Sequence, residues 1–282
     1  MASVVEKRFS LLQSLRVWWM MLRISIDERL VYRGDFALGT LMRFLPIVTQ
    51  IFLWNAIFAG VNRPEIAGYT KQEIIAYYLL TMITRAFSSM PGLAGGVARQ
   101  IRSGEIKKFL ITPIDMIGYL LVGRIAHKLV YYFVAFAPYA FVFFLCRGYF
   151  SGWPEPHIIV AFMASLVMSF LFGFFLEVTM GMLGFWILEV SSLLFIYMLL
   201  SFFLSGHMFP LNMVTREPWS TIMLNSPLQY LAYFPTIIFL GKVQGWDLVA
   251  GLATQLAWLV FMIVTSRIVF HYGVKRYSGY GG

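Results

Sequence analysis

A chain of 282 residues with 60% hydrophobic and only 12% charged side chains falls well short of the quarter charged that is usual in soluble domains. Its mean hydropathy of +0.75 places it in a bilayer as a polytopic membrane protein. The net charge of +9 would point a soluble protein to nucleic acid, but here loops facing anionic headgroups account for the cations, and no nucleic-acid partner is expected. The single cysteine, Cys146, excludes an internal disulfide and cannot alone build a metal cluster. No cleavable leader is expected, because the first residues run into a long charged segment.

Residues 6–33 read as an amphipathic helix in the headgroup plane. Leu11, Leu15, Trp18, Leu22, Ile26 and Leu30 form one stripe, with Gln13, Arg16, Arg23 and Asp27 opposite. A first span is predicted over residues 35–60, a short outer turn at 62–65, and a second span over 72–92. The third, 114–146, is longer than a bilayer needs, so Arg124, His127 and Lys128 fall on turns below it. There Arg124 and Lys128 are read as snorkelling to the inner surface. Residues 147–156 form an outer loop. The apolar run 158–209 is too long for one helix at about 1.5 Å per residue, and a break is predicted near 181–189. Residues 205–245, punctuated by Pro210, Pro218, Pro227 and Pro235, read as short helices dipping into the outer leaflet and returning. A last span covers 247–270.

These elements make an all-α membrane protein of six spans with both termini inside. Lys7, Arg8, Arg16, Arg23, Arg29, Arg33, Arg267, Lys275, Arg276 and the cations of the 95–113 loop lie on the inner side. Arg63, Lys71, Arg147, Arg216 and Lys242 lie outside. The 95–113 loop is the most charged passage between two apolar blocks. Arg99, Arg102, Lys107 and Lys108 oppose Glu105, while Val97, Ile101 and Glu105 recur at helical spacing until Gly104 interrupts. A basic loop of this kind is either a topological anchor or a contact for another protein.

Ionisable groups at membrane depth are costly unless paired or wetted. Arg85 and Glu177 are therefore candidates for a translocation path. Glu177 either binds a cationic substrate or pairs with Arg85 or Arg124, while Glu189 suits a helix N-terminus. The abundant Phe and Met either line a greasy path or serve as packing, and Tyr77, Tyr78, Tyr131 and Tyr132 are read as packing or interface residues. No Gly-x-x-x-x-Gly-Lys-Ser/Thr motif occurs, since Gly241-Lys242 is followed by Val243. The histidines have no metal spacing.

Together the amphipathic N-terminal segment, the inner loop Ile101-Arg102-Ser103-Gly104-Glu105-Ile106-Lys107-Lys108-Phe109-Leu110-Ile111-Thr112-Pro113, and the proline-rich hairpin before the last span resemble the permease subunit of an ABC-2 type exporter. The resemblance covers nearly the whole chain. It implies a connecting helix over residues 1–34 and a six-span domain over 35–282. In that domain Val97, Arg99, Ile101, Arg102, Ser103, Gly104, Glu105, Ile106, Lys107, Lys108 and Phe109 would form the coupling helix for an ATPase. Phe209, Pro210, Pro227, Tyr230 and Pro235 would belong to an extracellular gate. It implies no cofactor in this chain, with ATP and Mg on separate ABC ATPase subunits. A second permease, the same or different, would complete an efflux complex in the bacterial inner membrane. The substrate would be a hydrophobic, amphipathic, cationic or lipid-like small molecule. The importer-type Glu-Ala-Ala loop is absent, which favours export. The alternatives are a membrane lipid-modifying enzyme, which would need convergent polar or metal-binding residues, and an assembly scaffold, which would not need the basic loop.

Overall fold

The computed structural model describes residues 11–30, 33–61, 63–150, 152–187 and 189–277. Lys7 and Arg8 lie outside these, as do the side chains of Leu11, Leu15, Arg29 and Arg33. The chain falls into two compact units, Met1–Met42 with Phe109–Ala140, and Arg43–Lys108 with Phe141–Gly282.

The first unit holds α1 (Leu11–Leu30), the start of α2 (Arg33–Val61) and most of α6 (Met116–Leu145). Asp115 sets the beginning of α6, its carboxylate accepting from the Gly118 N–H at 2.8 Å. A side chain at Gly118 would stand 2.8 Å from the Trp18 ring, so α1 lies directly on the first turn of α6. About three turns further on, Lys128 is only 9% exposed. It is buried inside the protein instead of snorkelling outward, and it has interaction partners there.

In the second unit the turn after α2 is a small hairpin, β1 (Glu65–Ile66) paired antiparallel with β2 (Tyr69–Thr70). Ala67 and Gly68 take φ of 49° and 77° at its tip, as a two-residue hairpin turn requires. Thr70 then caps α3 (Lys71–Ser88) through a reciprocal box with Glu73. Past Gly92, at φ 71°, come α4 (Leu93–Arg102) and the short α5 (Lys107–Ile111). The long apolar run divides as expected: α7 (Pro156–Met182) ends in a 3-10 turn at Leu183–Phe185, and α8 (Ser191–Leu204) follows. Residues 205–245 form short pieces, including α9 (Trp219–Asn225) and α10 (Tyr233–Phe239), before α11 (Gly245–Arg276).

Four described helices are long and apolar enough to cross a membrane: Phe44–Val61, Met116–Leu145, Pro156–Phe185 and Gly245–Arg276. The expected second and fifth spans correspond to α3, with 18 residues, and α8, with 14, and neither is among those four.

Helix α7 is the hub of the second unit, packed against α11, α4, α3 and α10. Its glycines permit the closest crossings. A Cβ at Gly173 would sit 2.3 Å from the Ser88 carbonyl oxygen, and one at Gly181 would sit 2.5 Å from that of Ala94. Between α7 and α11 the polar atoms serve each other. Ser165 donates to Gln255 Oε1 at 2.8 Å, and Gln255 Nε2 donates to the Ser165 carbonyl at 3.0 Å and to Ser169 Oγ at 3.1 Å; Ser169 in turn donates to the carbonyl of Tyr230, in the turn before α10, at 2.6 Å. Such bonds join helices where no water competes.

Candidate functional site

The basic motif forms a knuckle at one end of the second unit. On α4 the residues Leu93, Ala94, Val97, Ala98 and Ile101 are buried, and Val97 faces Gly181 of α7. The helix stops at Arg102. Gly104, at φ 81°, reverses the chain, and Ile106 is fully buried with its N–H bonded to the Gln100 carbonyl at 3.1 Å. Glu105 therefore lies in the turn and does not extend the stripe of Val97 and Ile101. Those apolar residues, with Ile106, anchor the knuckle to its own chain. Arg99, Arg102, Ser103, Glu105, Lys107 and Lys108 are exposed. Phe109 belongs to the first unit, where its ring lies 5.3 Å from that of Tyr119.

Arg102 also reaches Glu189 at 3.4 Å, linking α4 to the approach to α8. Glu189 caps as expected: its Oε1 accepts the Ser191 N–H at 3.0 Å and also the Ser191 hydroxyl. These donors, the hydroxyl first, together with Arg102, hold its carboxyl below the usual glutamate range. The Arg102–Glu189 link was not expected from sequence, because 87 residues separate its partners.

At the other end, a tyrosine clasp holds the segment after α8. Tyr69 donates to Asn212 Oδ1 at 3.0 Å, Tyr77 to the Gly206 carbonyl, and Tyr78 to the Met208 carbonyl at 2.9 Å. Gly206 itself, at φ 76°, leaves no room for a side chain, since a Cβ would lie 2.5 Å from that of Tyr233. Lys242 completes the tie, pairing with Glu73 at 2.5 Å and donating to the Gly68 carbonyl at 2.9 Å. Of the residues assigned to a gate, Pro210, Tyr230 and Pro235 are buried, while Phe209 and Pro227 are half-buried. The structure thus brings the proline-rich segment onto α3 and α7. Tyr69, Tyr77 and Tyr78, read from sequence as packing or not singled out, are the residues that secure it.

Between these ends lies a cavity of about 590 Å³, bordered by α2, α3 and the end of α8 and containing Arg85. Glu177 is not part of its wall. Both Arg85 and Glu177 stand within electrostatic reach of Tyr197 on α8, and each has further interaction partners. Two buried polar atoms in the wall, Gln50 Oε1 and His207 Nδ1, make no hydrogen bond among the described residues. An unsatisfied buried polar atom costs about 1–3 kcal/mol unless something in the cavity serves it.

A family model described as ABC-2 family transporter protein matches residues 44–281. The chain belongs to the ABC-2 transporter family. No curated protein matches it at a significant level. Members of the ABC-2 family are multi-pass membrane components of ABC transporters, and membership implies association with an ABC ATPase. The match begins in α2 and takes in the knuckle, the cavity and the clasp.

Proposed function

We propose that this chain is the permease subunit of an ATP-driven exporter in the bacterial inner membrane, with six spans and both termini cytoplasmic. α3 and α8 would complete the count, the short α8 reaching the surface with help from the segments at its ends. Two permeases, identical or different, would assemble with two ATPase subunits that hold ATP and Mg. The exposed cations of the knuckle would dock on the ATPase. The 205–245 segment would be the extracellular gate, and the cavity at Arg85 would lie on the path.

The observation that carries this reading is the bond of both ends to one helix. α7 is about 40 Å long at 1.5 Å per residue. Near its C-terminus it touches α4 backbone to backbone, and near its middle it holds Tyr230 of the gate segment. A push on the knuckle would therefore reach the gate segment through α7 and the Ser169 hydroxyl bonded to the Tyr230 carbonyl, with no long flexible connection between them. Docking through exposed charge also explains why the knuckle's apolar residues are spent inside the chain, leaving cations outward to meet an acidic surface.

The test is copurification. The wild-type chain is expected to retain an ABC ATPase through detergent extraction, and the double charge reversal Arg102→Glu/Lys107→Glu is expected to release it while the permease still folds. Retention by the folded double variant would remove the knuckle from the contact.

A further inference from the structure

The cavity beside Arg85 carries information about what the transporter moves. Its walls are mostly apolar, with Ile47 from α2, Met82 from α3 and Phe202 from α8 among them. Its volume of about 590 Å³ falls inside the range of roughly 300–1,000 Å³ that small-molecule sites occupy. The polar groups on these walls divide into two kinds. Some are already employed: the Tyr78 hydroxyl is committed to the Met208 carbonyl, and that of Thr81 donates to the Tyr78 carbonyl at 3.0 Å. Others are not: Gln50 Oε1 and His207 Nδ1 are buried with no hydrogen bond among the described residues.

Arg85 is the only side chain with a permanent charge among the described lining residues. It stands in electrostatic reach of His207, so both groups bear on the same part of the cavity. Arg85 has interaction partners within the protein, and the five N–H donors of a planar guanidinium fork can serve more than one acceptor at once. Glu177, the acid that would draw a cation, is outside the wall.

We infer that this cavity seats an amphiphile with an anionic head, a carboxylate, sulfate, sulfonate or phosphate ester, whose oxygens meet Arg85 while its tail lies along Ile47, Met82 and Phe202. Gln50 Oε1 accepts from an N–H or O–H of the polar linkage behind the head, and His207 Nδ1 bonds to the same linkage. The purpose of such a site, transport, rests on the permease reading. Binding itself needs no ATPase, so the two ideas fail separately.

The test uses the full-length chain in phosphatidylcholine nanodiscs, titrated with pyrene-labelled probes of one tail length. The probes end in a sulfonate, a trimethylammonium or a methyl ester, and empty nanodiscs give the partition baseline. The sulfonate probe is expected to bind about tenfold more tightly than either of the others, the scale of a charge-assisted hydrogen bond. Arg85→Gln abolishes that preference, Arg85→Lys keeps part of it, and Glu177→Gln leaves it intact. Equal binding of the three probes, or a preference for trimethylammonium, overturns the inference. Either result is read on the wild-type chain and does not depend on any variant folding. A preference that survives unchanged in folded Arg85→Gln also overturns it. Failure of the wild-type chain to retain an ATPase in the separate experiment above would leave this result standing and remove only its link to transport.

Discussion

Glu189 shows how a single side chain serves two neighbours. It caps the approach to α8 through Ser191 and holds Arg102 of the knuckle. Because its folded-state pKa is depressed, its contribution is present above the unfolded glutamate value of about 4.3 and is lost as pH falls through the lower folded value. The wild-type chain is therefore expected to melt above Glu189→Gln at neutral pH, with the gap closing below about pH 4. Differential scanning fluorimetry in detergent measures this. A gap that widened on acidification would contradict the cap. Capping at this position was legible in sequence, since an acid before Ser-Ser and an apolar run is a helix start. The tyrosine bonds were not legible. Tyr77 and Tyr78 donate to main-chain carbonyls of residues 206 and 208, and no residue type advertises a carbonyl as an acceptor.

At the scale of elements, close backbone crossings decide how α3, α4 and α7 meet. Gly173→Ala would push a methyl group into the Ser88 carbonyl, and backbone has nowhere cheap to go. The expected loss is about 1–3 kcal/mol, measured as a lowered melting temperature. Gly123→Ala, in a stretch of α6 with nothing within 4 Å, is expected to be neutral or slightly stabilising. Equal effects of the two substitutions would refute the crossing. Element boundaries in this chain followed from simple physics. The break between α7 and α8 came from the length of the apolar run, and the broken 205–245 segment came from its prolines. The β1–β2 hairpin was missed. It is two residues a side, too short for any alternation, and only Gly68 at its tip signals it. The knuckle was half right: Gly104 does end the helical run, but the inward turn of Val97, Ile101 and Ile106 depends on α7, which lies some seventy residues further along the chain and is invisible to local pattern.

For the molecule as a whole, membrane residence was readable from composition alone, and the family match over residues 44–281 agrees with the resemblance carried by the inner loop and the proline-rich segment. The cavity was not readable. Arg85 stood out as a charge in an apolar run, but Gln50, Phe202 and His207 come from parts of the chain that only the fold brings beside it. Of the two charged residues singled out at depth, Arg85 lines the cavity and Glu177 does not, because which side chains share a wall is decided by the fold.

The shortness of α8 has a consequence for the lipid around it. Fourteen residues rise about 21 Å, against a hydrocarbon layer of about 30 Å. Apart from Ser201, its described side chains are not buried within the chain. On the proposed six-span reading, whatever part of this gap the segments at its ends do not fill would be met by thinning the surrounding leaflets, at a cost that grows with every ångström. The protein should accordingly sort into thin membranes. Its melting temperature should be highest in vesicles of short-chain phosphatidylcholine and fall steadily as the acyl chains lengthen, and an insensitive or inverted series would show that α8 does not meet the acyl chains.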